Sequence, residues 1–321
     1  MGLFSFWKLL KEVVGMLNES RKLFLKNKKL MFSVFVFYLV LNGLLYLFNV
    51  LTITPEITNL TQDLNLLPTM DPSSPEYMAQ LMKVFADFRL FVVSSDIFNA
   101  VSFIINILSV LVIVHASALT YKKENVKFKD FVVLILKSWK GPLVTSFYIS
   151  LFSLGYCLFF LIIIFPILLS SLSIASLFSL VSKIFVLLVL FLLFASYLAT
   201  VWYLSIVISV LEETYGIQAL GEAAKIVKGM KPKLFLLNIF YGLLIFGLAQ
   251  IVALVSLSVD RSQSFTLATG LYLAVLTFVA MFLLMTYTVA YFQCKSPHGE
   301  DVERLRDVEY TTLPTTSLIG A

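Results

Sequence analysis

The residues able to do chemistry are few and scattered. The chain has two histidines, His115 and His298, and two cysteines, Cys157 and Cys294. A metal site needs several nitrogen, sulfur or oxygen ligands converging on one point, and a nucleophile needs a base within hydrogen-bond reach. No H-E-x-x-H, G-x-S-x-G, glycine-rich phosphate loop or closely spaced cysteine pair occurs. No catalytic residue, metal site, disulfide or cofactor is therefore expected, and the chain reads as a non-enzyme without a nucleic-acid partner. His115 reads as an interfacial histidine.

The second chemistry to seek is transport. Ionisable groups at bilayer depth are costly and mark ion or proton paths. Here Asp96, Glu212 and Glu213 fall at the ends of apolar runs, and no carboxylate lies near a midplane, which disfavours proton coupling. Asn42, Asn99, Asn106 and Gln250 lie within the runs. They suit either hydrogen bonds between helices, worth about 1 kcal/mol each, or the lining of a path for a small neutral or lipid-like solute.

The elements that would position these residues follow from composition. With 60% hydrophobic and 13% charged residues among 321, most of the chain must have lipid as its solvent. A hydrocarbon core of roughly 30 Å needs about 20 apolar residues per helix. Six stretches qualify, at 30–50, 97–120, 143–168, 184–210, 234–258 and 267–292. Runs such as LLVLFLLF, 187–194, are apolar on every face, unlike the alternating segments of a membrane barrel. The fold class is all-α and polytopic, with six transmembrane helices.

Charge gives the orientation. Residues 1–29 hold seven Lys or Arg, 121–141 six, 211–233 four and 293–321 three, or twenty of twenty-four. Basic loops stay in the cytosol, so both termini are expected there. The domain layout is a cytosolic amphipathic segment 1–29, a membrane domain 30–292 and a tail 293–321. Within the membrane domain are an external loop 51–96 and cytosolic loops 121–141 and 211–233. The N-terminus shows no cleavable signal sequence, so the first span serves as its own insertion signal. An endomembrane protein is expected, in the ER, Golgi, vacuole or plasma membrane.

Three basic segments are amphipathic and precede spans one, three and five. Phe6/Trp7, Leu10, Val13/Val14 and Leu17 recur at helical spacing, as do Phe128, Phe131/Val132, Ile135 and Trp139. In QALGEAAKIVKGM, Ala219/Leu220, Ala223, Ile226/Val227 and Met230 form a third stripe. Gly229 is expected to leave that helix in a left-handed conformation, with Pro232 discouraging its continuation. Such helices lie in the interface, apolar face among acyl chains. Lys122, Lys123, Lys225 and Lys228 are the expected contacts with anionic headgroups. Protein partners at the cytosolic loops are also expected.

The external loop carries Pro55, Pro68, Pro72 and Pro75, which predicts an irregular first half. Ser74-Pro75-Glu76 starts a helix whose Met78, Leu81/Met82, Phe85 and Phe88 would cover the external span ends. Asn59-Leu60-Thr61 is a glycosylation sequon. Pro166 is expected to kink or end span three. In the tail, expected to be disordered, Tyr310 to Leu313 fits a tyrosine-based sorting pattern.

Trp202 to Gly242 resembles the centre of a plant family of multi-pass membrane proteins of unknown function. It is more distantly similar to the membrane domain of bacterial glycerophosphodiester phosphodiesterases. Glu212, Gly216, Ala219, Leu220, Lys228 and Gly229 carry the resemblance, and Ala223 or Ala224 stands where the family has a serine. The resemblance implies a span, an acidic turn, a helix ending in Lys-Gly and another span. The phosphodiesterases' catalytic barrel is absent, so their activity does not carry over. A structural or regulatory membrane protein is the expected function, with a transporter or channel as the alternative.

Overall fold

The computed structural model describes residues 3–124, 128–172, 177–212, 214–258 and 264–295. Among them, ten α-helices follow one another: α1 Leu3–Lys26, α2 Lys28–Phe48, α3 Thr54–Leu66, α4 Pro75–Lys122, α5 Phe128–Ser138, α6 Lys140–Leu172, α7 Leu177–Leu211, α8 Ile217–Ile226, α9 Lys231–Ser258 and α10 Ser264–Lys295. Six helical stretches are long and apolar enough to cross a membrane: Lys28–Thr69, Pro75–Lys122, Lys140–Pro166, Val181–Leu211, Lys231–Leu254 and Thr269–Lys295. This is a multi-pass membrane protein. It divides into two compact units, one of residues 1–22, 144–240 and 285–321, the other of residues 23–143 and 241–284.

The second unit corrects the expectation for residues 51–96. Thr54–Leu66 is the helix α3 where an irregular segment is expected, whereas the helix expected after Ser74-Pro75-Glu76 is present as the start of α4, and α3 and α4 pair as a hairpin. A π-helical turn, Asn49–Ile53, joins α2 to α3, and a 3-10 turn, Leu67–Thr69, ends α3. Pro68 and Pro72 fall at the break between α3 and α4, Pro68 in the 3-10 turn and Pro72 in the turn that follows it. Pro75 lies in the first turn of α4, where the missing N–H has no intrahelical partner anyway, and Pro55 follows directly on the π-helical turn, through which the helix continues. Ser74 caps α4, accepting the Tyr77 N–H at 3.1 Å.

From there α4 runs unbroken for 48 residues, about 72 Å at the usual rise, or more than twice the roughly 30 Å of a hydrocarbon core. The α3–α4 hairpin must extend beyond the bilayer. It is joined by Lys83 Nζ to Asp63 Oδ1 at 2.9 Å, Gln80 Nε2 to Asp63 Oδ1 at 3.0 Å and Ser94 Oγ to Glu56 Oε1 at 2.8 Å. Ile53, Asp63, Val84 and Ser94 are buried where these segments pack. Met78, Met82, Phe85 and Phe88, the stripe expected to cover the spans, are exposed.

At its other end α4 is buried on all sides from Leu111 to Thr120. Elsewhere in this unit, Phe24 and Phe35 both set their rings edge-on to Phe278, with centroids 5.9 and 5.8 Å away. Asn42 Nδ2 donates to Thr277 Oγ1 at 3.4 Å and to the Tyr38 carbonyl at 3.1 Å. That is a bond between helices.

In the first unit the core gathers at the end of α7, on α8 and along α10, where Leu204, Val207, Ile208, Ala219, Ala223, Met285, Tyr287 and Tyr291 are fully enclosed. By contrast, Phe147, Leu151, Leu154, Phe159 and Ile162 of α6 are exposed. In a bilayer that surface belongs to acyl chains, which are as apolar as leucine. Pro166 does not end α6, which continues to Leu172.

Candidate functional site

The charged segment between the fourth and fifth spans folds as a tight elbow. Gly216 has φ 64° and ψ −133°, a conformation closed to residues with a Cβ. A Cβ there would also be tightly placed, 3.2 Å from the Tyr148 ring and 3.3 Å from Val144 Cγ1. The Gly216 N–H donates to Thr145 Oγ1 at 2.9 Å, and its carbonyl accepts from the Leu220 N–H at 3.2 Å. α8 therefore starts at a fixed point and direction.

Its apolar stripe is used by the protein itself. Ala219, Ala223 and Val227 are 0% exposed, and α8 packs on α7. Small side chains allow that close approach. This corrects the expectation that the α8 stripe lies among acyl chains. A second correction concerns Gly229. It does not turn left-handed; α8 tightens into a 3-10 turn, Val227–Gly229, and Met230 N–H reaches the Val227 carbonyl at 2.8 Å.

With the stripe turned inward, the cations face outward. Lys225 and Lys228 are exposed, and Lys225 pairs with Glu222 at 2.9 Å. A pair so open to solvent is worth at most about 0.5 kcal/mol, which leaves Lys225 free to exchange partners. Tyr215 and Ile217 are exposed beside them.

A polar seam anchors the elbow. Tyr287, Tyr291 and Lys295, four residues apart on α10, share one helical face. Tyr291 Oη donates to Glu212 Oε1 at 2.6 Å and Lys295 Nζ to the same oxygen at 2.9 Å. Tyr287 Oη donates to Asn238 Oδ1 at 2.8 Å, and Asn238 Nδ2 to the Ser196 carbonyl at 3.0 Å. Sequence reasoning missed Asn238. The tyrosine and lysine spacing on α10 was the available signal. α1 joins through Lys233 Nζ and Glu12 Oε2 at 2.8 Å, and through Gln293 donating to Glu19. The Lys233 hydrogen bond holds the Glu12 carboxyl below its ordinary value.

The other basic segment lies in the second unit. Lys123 ends α4 in the left-handed conformation, φ 63°, and Glu124 N–H closes on the Leu119 carbonyl at 3.1 Å. This is the helix end that usually takes glycine. Lys26 Nζ satisfies the Thr120 carbonyl at 2.9 Å, and Lys122 is half-buried in the last turn. Lys123 thus has a structural role at the helix end that its charge alone does not convey. On α5, Phe131 and Ile135 are buried while Val133, Leu136 and Trp139 are exposed, so its apolar surface is divided between protein and surroundings. His115 Nε2 lies 2.7 Å from Ser138 Oγ, which donates to the Leu134 carbonyl at 2.6 Å. The histidine fixes α5 on α4.

Asn59 is exposed on α3, and Asn99, Asn106 and Gln250 are exposed on their helices. Cys157 is exposed and Cys294 buried, both as thiols. Among the described residues, no group of three or more His, Cys, Asp or Glu could hold a metal ion. Glu213, His298, Tyr310, Leu313 and the tail after Lys295 lie outside the described residues.

A family model described as a domain of unknown function, DUF8558, matches residues 9–309. No curated protein and no solved structure matches the chain.

Proposed function

Because the chain belongs to the DUF8558 family, whose function is unknown, we propose from its own geometry that it is a structural or regulatory protein of an endomembrane. Its termini face the cytosol, and the α8 elbow serves as a fixed basic platform for anionic headgroups. One observation carries this reading: Ala219, Ala223 and Val227 are spent on packing, so Lys225 and Lys228 are held outward on a rigid mount. A mount already ordered by the protein loses little entropy on binding. Lys122 and Lys123 would add to the cytosolic charge.

The alternative, a transporter or channel for a small neutral or lipid-like solute, draws no support from Asn42, which bonds Thr277, or from the exposed Asn99, Asn106 and Gln250. Reconstitution into anionic liposomes tests both readings. Vesicle clustering or reshaping without tracer flux is expected, weakened by Lys225→Glu with Lys228→Glu. Flux lost on Asn106→Leu or Gln250→Leu would replace this reading with transport.

A further inference from the structure

The first unit holds a second lipid-directed feature, separate from the α8 platform. Leu190, Leu193, Phe194 and Tyr197 of α7 and Lys231, Pro232 and Phe235 of α9 line an open groove of about 470 Å³. α7 and α9 are fixed against each other there by Asn238 Nδ2 on the Ser196 carbonyl at 3.0 Å. The surface that lines the groove is apolar throughout, and a cation and a phenol stand together at one end of it. At that end Lys231 Nζ lies 3.2 Å from Tyr197 Oη and 5.6 Å from the centre of the ring.

The direction of the groove identifies its occupant. Lys231 and Pro232 begin α9, so the ammonium lies where the helix enters the bilayer from the basic loop. Trp202, about 8 Å further along α7 at the usual rise, is of the residue type that marks the headgroup level. Leu190 lies about 10 Å along α7 in the other direction, toward the bilayer interior. A groove that starts at a cation in the headgroup layer and continues as leucine and phenylalanine has the polarity of one phospholipid molecule. Water would gain nothing along Leu190, Leu193, Phe194 and Phe235, and a soluble anion would use only the end.

The cation is available. Lys233, two residues on, is paired with Glu12, and Lys225 and Lys295 are paired with Glu222 and Glu212. Lys231 makes no ion pair among the described residues, and its phenol partner carries no charge to neutralise. Because the ammonium donates to Tyr197 Oη, the phenolic proton remains free to donate as well. Nζ and Oη together present two donors to a phosphate oxygen, one of them charge-assisted.

We propose that this groove is a binding site for an anionic phospholipid of the leaflet next to the basic loops. Its phosphate is held by Lys231 and Tyr197, and one acyl chain lies along Leu190, Leu193, Phe194 and Phe235. The site shares no residue with the platform, so either can fail alone.

The test is native mass spectrometry of the full chain, taken from phosphatidylcholine nanodiscs that contain phosphatidylserine. The wild-type protein retains phosphatidylserine in preference to phosphatidylcholine. Lys231→Gln lowers that retention by about tenfold, the weight of one charge-assisted hydrogen bond, and Lys231→Arg restores it. Leu193→Trp, which fills the apolar part, removes both lipids, whereas Lys225→Gln with Lys228→Gln changes nothing. Equal retention of the two lipids, unchanged retention in Lys231→Gln and Leu193→Trp, or loss confined to the Lys225 and Lys228 variant would each overturn the site. So would displacement of the lipid by inorganic phosphate at equal concentration, because that would make it an anion site with no use for the groove.

Discussion

The α8 elbow and the first part of α4 carry the same sequence signal and meet opposite fates. Both have an apolar stripe at helical spacing, Ala219, Ala223 and Val227 in one and Met78, Met82 and Phe85 in the other. The first is fully buried, while Met82 of the second is 69% exposed. The difference is in side-chain size and in where the chain is tied. Alanines let α8 approach α7 closely, and the positive φ of Gly216 aims it there. In the α3–α4 hairpin the inward face is instead taken by Val84 and Ser94 and by the Asp63 pairing, which leaves the larger apolar residues outside. A stripe therefore shows that a helix has two faces, not which face the protein keeps.

The largest expected effect is at the elbow. Gly216→Ala combines a strained backbone with tight contacts to Tyr148 and Val144, and should cost about 3 kcal/mol, read as a lower midpoint of thermal unfolding in detergent. Next, Glu212→Gln removes the carboxylate that Tyr291 and Lys295 share and should cost about 2 kcal/mol by the same measurement. A gain is expected at the end of α4, where Lys123→Gly relieves the left-handed lysine and should raise stability by about 1 kcal/mol. On the outer stripe, Met82→Gln should stay within about 0.5 kcal/mol of wild type. A loss there as large as that at Gly216 would mean the stripe is covered and would erase the contrast.

The smallest effect is one of pH. Lys233 lowers the folded-state value of Glu12, so its contribution is present above the ordinary value of 4.5 and disappears as pH falls through the lowered one. Amide exchange in α1 should rise in that acid range, and Glu12→Gln should make it independent of pH there.

Much of the fold is legible in the sequence because the bilayer imposes it. Runs such as 184–210 admit no other solvent, and each of the six expected spans overlaps a helical stretch long enough to cross. The first arm of the hairpin was not legible because Pro55 read as a breaker, whereas the helix passes through it by way of the π-helical turn just before it. Of the candidate site, the lysines and the glycine at 216 could be picked out by type. Their surroundings could not. Asn238 meets Tyr287 across 49 residues, and Glu212 meets Lys295 across 83. Such pairings depend on how spans pack laterally, for which no local spacing is a guide.

The π-helical turn at Asn49–Ile53 has a consequence for the hairpin's gearing. A π turn accommodates one residue more than an α turn, and each residue added to a helix rotates the remainder of that helix by about 100°. It thus acts as a phase shifter between α2 and the extension beyond it. Deleting one residue from that turn would leave the helix continuous but swing Asp63 away from Lys83. Ile53 and Asp63 owe the facing that buries them to a single surplus residue.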